Sequence, residues 1–72
     1  MTIKEGDVVI WRGGWGVQSP KKAVVVRMEL CEGEREKYGE LVDEIDLKDK
    51  NRTVFSLDNG HWAYGYQIEV TE

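Results

Sequence analysis

The chain has 72 residues, with 14 acidic and 10 basic side chains and a formal net charge of −4. That length allows one domain, of a size that buries only about 60% of the surface its unfolded chain exposes. Cys31 is the only cysteine and His61 the only histidine, which excludes an internal disulfide and the four-ligand zinc sites built from thiolates and imidazoles.

The charge is unevenly spread. Residues 1–28 carry five basic and two acidic side chains, whereas residues 29–46 carry eight acidic and two basic ones. The acidic balance argues against tight nonspecific binding to nucleic acid, because neutralising phosphates takes clustered Lys and Arg. It leaves room for a local basic patch from Lys4, Arg12, Lys21, Lys22 and Arg27. The opening Met1-Thr2-Ile3-Lys4-Glu5-Gly6-Asp7 lacks the apolar core of a signal peptide. The longest apolar run, Ala23 to Val26, is far short of the roughly 20 residues that span a membrane. With a single cysteine, and so no internal disulfide, the expectation is a soluble, cytoplasmic protein with no membrane contact.

In chain order, Gly6-Asp7 leads into a first strand, Val8-Val9-Ile10-Trp11, made of β-forming residues. Arg12-Gly13-Gly14-Trp15-Gly16 reads as a mobile glycine-rich loop that Ser19-Pro20 closes. The second strand starts at Ala23, with Val24, Val26, Met28 and Leu30 on one face and Arg27 and Glu29 on the other. Residues 31–40 read as a charged surface loop, with at most a short helical turn around Glu34–Tyr38 between Gly33 and Gly39.

Leu41, Asp43, Ile45 and Leu47 alternate with Val42, Glu44 and Asp46 and predict a third strand. After the polar turn Lys48–Asn51, Thr53, Phe55 and Leu57 predict a fourth, paired with the third as a hairpin. Asp58-Asn59-Gly60 is the strongest turn signal in the chain. His61-Trp62-Ala63-Tyr64 begins the last strand, Gly65 interrupts it, and Gln67-Ile68-Glu69-Val70 resumes it.

Five short strands with no covering helix must bury their apolar faces on one another. A small closed barrel does so and leaves few free edges. The expected fold is therefore all-β, a five-stranded SH3-like barrel over residues 1–72. Its predicted core is Val9, Trp11, Val24, Val26, Met28, Ile45, Phe55, Leu57, Ile68 and Val70.

The layout of Gly6–Trp11, Ala23–Glu29, Val54–Gly60 and Tyr66–Val70 resembles small SH3-like barrels of the Tudor and chromo-like type. The resemblance implies a 3-10 turn leading into an Ile-containing last strand. In the Tudor family an aromatic cage binds methylated Lys or Arg. Trp15 matches one region that supplies cage residues, while the Lys48–Asn51 turn carries no ring where the family usually has another. The Trp11-Arg12-Gly13-Gly14-Trp15-Gly16 start and the Asp58-to-Gly65 end also look like those of short bacterial proteins with no assigned activity.

Seven aromatic residues are many for so short a chain. Trp11 and Phe55 fit core positions. Trp15 sits among glycines, where no regular strand can bury it, and Trp62, Tyr64 and Tyr66 lie two apart. One reading makes Trp15, Trp62, Tyr64 and Tyr66, with Arg12 beside them, an exposed patch that binds a partner, since rings give large contact area at low entropy cost. The other folds Trp15 and Trp62 over the barrel mouth as packing.

No catalytic, metal or cofactor site is expected. Cys31 and His61 would be the only nucleophile–base pair, and they fall on different segments without an orienting third group. Glu32, Glu34 and Glu36 alternate but lack the Asp-x-Asp-x-Asp-Gly spacing of a calcium loop. Gly13–Gly16 lacks the Lys-Ser/Thr ending of a phosphate loop. The expectation is thus a non-enzymatic module that engages a protein or peptide through the aromatic patch beside the acidic loop, for which a basic or Pro-containing segment is suited. The alternatives are a nucleic-acid-binding barrel that uses the basic N-terminal portion with Trp15 stacking on bases, and a self-associating structural protein, such as a homodimer.

Overall fold

The computed structural model describes residues 1–33 and 39–70, apart from the side chains at positions 15 and 16. The expected helical turn at Glu34–Tyr38 lies outside the described residues, and so do Glu34 and Glu36. The fold is all-β. In chain order its strands are β1 (Thr2–Lys4), β2 (Val8–Trp11), β3 (Lys21–Leu30), β4 (Glu40–Val42), β5 (Glu44–Asp46), β6 (Thr53–Leu57), β7 (Trp62–Tyr64) and β8 (Ile68–Val70). A helical turn, Gly13–Gly16, follows β2, and 3-10 segments span Leu47–Arg52 and Gly65–Gln67.

The strands form two antiparallel sheets rather than one closed barrel. The larger runs β7-β6-β3-β2-β8, with β4 also on β3, and the smaller pairs β1 with β5. The 3-10 turn implied ahead of the last strand is present at Gly65–Gln67. It carries the chain from one end of the larger sheet to the other, so the stretch read as one interrupted strand is two strands at opposite edges.

The N-terminal residues and residues 40–57 depart from the sequence expectation. Thr2–Lys4 is a strand that the sequence reading missed, and Ile3 faces Ile45 across the small sheet with both side chains buried. The expected third strand is broken at Asp43 into β4 and β5, which leave for different partners, β3 and β1. The backbone carbonyl of Asp43 accepts a 3.1 Å hydrogen bond from the Glu5 N–H, which holds the break. The expected hairpin between residues 41–47 and 53–57 does not form. The Lys48–Asn51 turn is part of the 3-10 segment Leu47–Arg52, and β6 pairs with β3 and β7 instead. The Asp58–Gly60 turn does join β6 to β7. Gly60 takes φ +84, a region that disfavours any residue with a Cβ, and Asn59 Oδ1 accepts from the His61 N–H at 3.0 Å.

The core contains seven of the ten predicted residues: Val9, Trp11, Met28, Ile45, Phe55, Leu57 and Ile68. Val24 and Val70 are half-buried and Val26 is exposed, while Ile3, Ala23, Val25 and Ala63 are buried in addition. The cause in β3 is a shift of register between Val25 and Arg27. A bulge adds one residue and so exchanges the two faces of the strand. Ala23 and Val25 point inward before it, and Met28 points inward after it.

Candidate aromatic binding site

Three segments converge at one end of the larger sheet. β2 ends in Trp11, whose backbone pairs with Lys21 of β3 and Ile68 of β8. The helical turn Gly13–Gly16 follows at once, closed by a 3.1 Å hydrogen bond from the Gln18 N–H to the Gly13 carbonyl. The glycine-rich segment that the sequence reads as a loop thus contains a helical turn. Glycine weakens a helix by about 1 kcal/mol per residue relative to Ala, so its neighbours, not propensity, hold this turn. β7 and the 3-10 segment after it bring the other rings.

Gln67 joins these segments. Its Oε1 accepts from the Tyr64 N–H at 3.0 Å, and its Nε2 donates to the Arg12 carbonyl at 3.1 Å. The Arg12 N–H in turn donates to the Gln67 carbonyl at 3.0 Å. This buried amide therefore has its acceptor and a donor engaged, as a buried polar group requires. Behind it, the Lys50 ammonium donates to the Gly65 carbonyl at 2.6 Å and to the Ile68 carbonyl at 2.9 Å. Partial burial holds this amine below the ordinary lysine range, and the Glu69 carboxylate opposes part of that effect. Gly65 is required by close approach, because a Cβ there would run into the Lys50 carbonyl.

The rings form two connected groups. Trp11 stacks on His61, with centroids 4.9 Å apart and planes 26° from parallel. Trp62 meets Tyr64 edge-on at 5.2 Å, and Tyr64 stacks on Tyr66 at 6.1 Å. Between them lies a shallow pocket of about 200 Å³. Its walls are Trp11, His61, Trp62 and Tyr64, with Gly13, Gly14 and Gln67 completing the lining. The volume falls below the roughly 300–1,000 Å³ typical of small-molecule sites. It suits one ring or one short side chain of a larger ligand.

The structure brings Trp62, Tyr64 and Tyr66 together. Trp62 is 49% exposed and Tyr66 39%, but Tyr64 is buried between them and acts as their support. Arg12 adjoins the pocket in sequence, and its guanidinium lies 3.9 Å from Glu69, both groups well exposed. Such a pair adds little stability. Trp15 belongs to the helical turn beside the pocket, and its side chain lies outside the described residues. The sequence reading missed Trp11, His61, Gly13, Gly14 and Gln67 as pocket residues. The sequence reads Trp11 as a core residue and His61 as the start of the last strand. Their contact joins residues fifty positions apart, one at the end of β2 and one just before β7, so no local periodicity announces it.

Cys31 is buried with Val54 and Tyr64. Among the described residues, no three His, Cys, Asp or Glu side chains converge as a metal site, and no helix is long and apolar enough to cross a membrane. Comparison of the chain with protein-family profiles, with curated proteins and with solved structures finds a match in none of the three.

Proposed function

We propose that this protein is a non-enzymatic binding module that engages a protein or peptide through the aromatic end of its larger sheet. The observation that carries the reading is the ring row Trp62–Tyr64–Tyr66, whose outer two members stand half in water beside a pocket sized for one side chain. Exposed large rings on a rigid support are the residue types that dominate interface energies. Arg12, next to Trp11, adjoins the same surface, and Trp15 belongs to the turn that follows it. The β7-β6-β3-β2-β8 order, with a 3-10 turn returning the chain to the first long strand, supports a kinship with SH3-like small barrels. A bacterial, cytoplasmic setting is part of the proposal, in keeping with a chain whose single cysteine allows no internal disulfide.

Selection from a displayed random-peptide library tests the reading. Wild-type protein enriches a set of peptides, and Trp62→Ala weakens their binding by about thirtyfold, the loss expected for a hot-spot ring. Because Trp62 is half exposed, the variant keeps its fold. No enrichment, or equal binding by Trp62→Ala, sinks the reading.

A further inference from the structure

Leu41 is exposed in two senses. Its side chain stands 63% in water, and its backbone N–H and C=O lie on an open strand edge. The edge follows from the register. Past the bulge in β3, the Cys31 N–H donates to the Arg52 carbonyl at 2.9 Å. Backbone groups along an antiparallel strand face its two neighbours in turn. Those of Glu29 and Cys31 therefore face β6, and those of Met28 and Leu30 face β4, where their partners are Val42 and Glu40. Leu41 lies between these two, so its N–H and C=O point away from β3. Among the described residues, β4 pairs with no other strand.

An open groove of about 630 Å³ runs beside this edge, lined by Glu5, Arg27 and residues 40–44. It holds four exposed carboxylates, on Glu5, Glu40, Asp43 and Glu44, against the one guanidinium of Arg27. Among the described residues, none of these five side chains is in an ion pair. The hydrogen bond from the Glu5 N–H to the Asp43 carbonyl ties the two sides of the groove together. Charge decides what can add to the edge. Two copies pairing β4 on β4 would draw both sets of carboxylates onto one ladder, where like charges repel. A strand that carries cations meets the opposite field and satisfies the backbone of Leu41 as well.

We propose that β4 is a docking edge, separate from the aromatic end, for an extended Lys- or Arg-rich segment of a partner protein. The segment adds as a strand. One of its residues exchanges N–H and C=O bonds with Leu41 and lays an apolar side chain beside it, and the flanking cations lie among Glu5, Glu40, Asp43 and Glu44. This edge needs nothing from Trp62 or its pocket.

The test titrates capped peptides of one length into 15N-labelled protein at low salt. The first is Lys-Lys-Val-Lys-Lys. The second is the same peptide N-methylated at every residue, which keeps the charges and loses every N–H, and the third is Glu-Glu-Val-Glu-Glu. The lysine peptide is expected to bind, to move the Leu41 amide signal downfield and to slow its hydrogen exchange. The glutamate peptide is expected to do none of these. N-methylation is expected to weaken binding about tenfold. Neutralising Glu40→Gln, Asp43→Asn and Glu44→Gln together, at exposed positions and with little change of shape, is expected to weaken it about tenfold as well. Trp62→Ala is expected to bind the lysine peptide as wild type does.

Equal binding by the N-methylated peptide overturns the proposal, since the contact is then a cloud of charge without a strand. No shift at millimolar lysine peptide, or equal binding by the neutralised variant, overturns it too and leaves the carboxylates as a guard that keeps other chains off the edge. Loss of binding in Trp62→Ala places the peptide at the aromatic end, which overturns this inference and leaves the peptide-binding reading standing. A lysine peptide held on β4 by a protein whose aromatic end captures no peptide has the reverse consequence.

Discussion

The aromatic end and the acidic edge of this protein are built from the same kind of material and behave differently. Each uses two three-residue strands, β7 and β8 at one and β4 and β5 at the other. At the aromatic end the connection between strands is clamped by the Gln67 amide and the Lys50 ammonium, and the rings rest on one another. At the acidic edge, Glu40, Asp43 and Glu44 surround Leu41, which stands 63% in water. Short strands do not by themselves make a rigid site. Side chains that reach from one segment to the backbone of another do, because they satisfy polar groups that a three-residue ladder leaves over.

Substitutions can break this contrast, and their effects on stability in chemical denaturation should fall in a set order. Trp11→Ala comes first, with a loss of about 3–5 kcal/mol, because it empties a core position and unseats His61 together. Gly65→Ala follows, at about 1–3 kcal/mol, since the added methyl must push the Lys50 backbone away. If it costs nothing, the two segments do not approach as closely as described.

Lys50 sharpens the comparison through pH. Its folded pKa is lowered, chiefly by burial. Between that lowered value and the ordinary lysine range the unfolded chain binds more protons than the folded one, so this group's contribution to stability rises with pH across that window. The expected result is that the stability difference between wild type and Lys50→Met shifts in favour of wild type as pH rises toward about 10.5. A flat difference would mean that the amine is solvated. Leu41→Ser is expected to have the smallest effect, under about 0.5 kcal/mol, because nothing is packed on an exposed side chain of this kind. A larger loss would make the acidic edge part of the core after all.

Much of the site was legible because its rings are close in sequence. Trp62, Tyr64 and Tyr66 could be grouped by spacing alone, and Gly65 could be seen to interrupt them. The pocket could not, because one of its walls is Trp11, far away in sequence, and its clasp is Gln67, whose amide role depends on the backbone of residues 12 and 64. Burial within one ring also escaped the binary reading of core against surface: Trp11 packs in the core and still presents an edge to the pocket.

The amino-acid pattern by itself determined that the chain is all-β, where β2, β6 and the Asp58–Gly60 turn fall, and which side chains crowd the last third. Those are local matters of β-propensity, alternation and turn chemistry, each read within a few residues. Only the tertiary structure decided which face of β3 is inside, whom β4 and β5 pair with, and that the buried Trp11 indole carries an unmet N–H. A bulge reverses strand parity without leaving a mark in the hydrophobic pattern when every residue from Ala23 to Val26 is apolar. Strand partners and buried polar atoms are settled by contacts between distant residues, where burial of Ile3 on Ile45 outweighs the nearer hairpin that the sequence suggested.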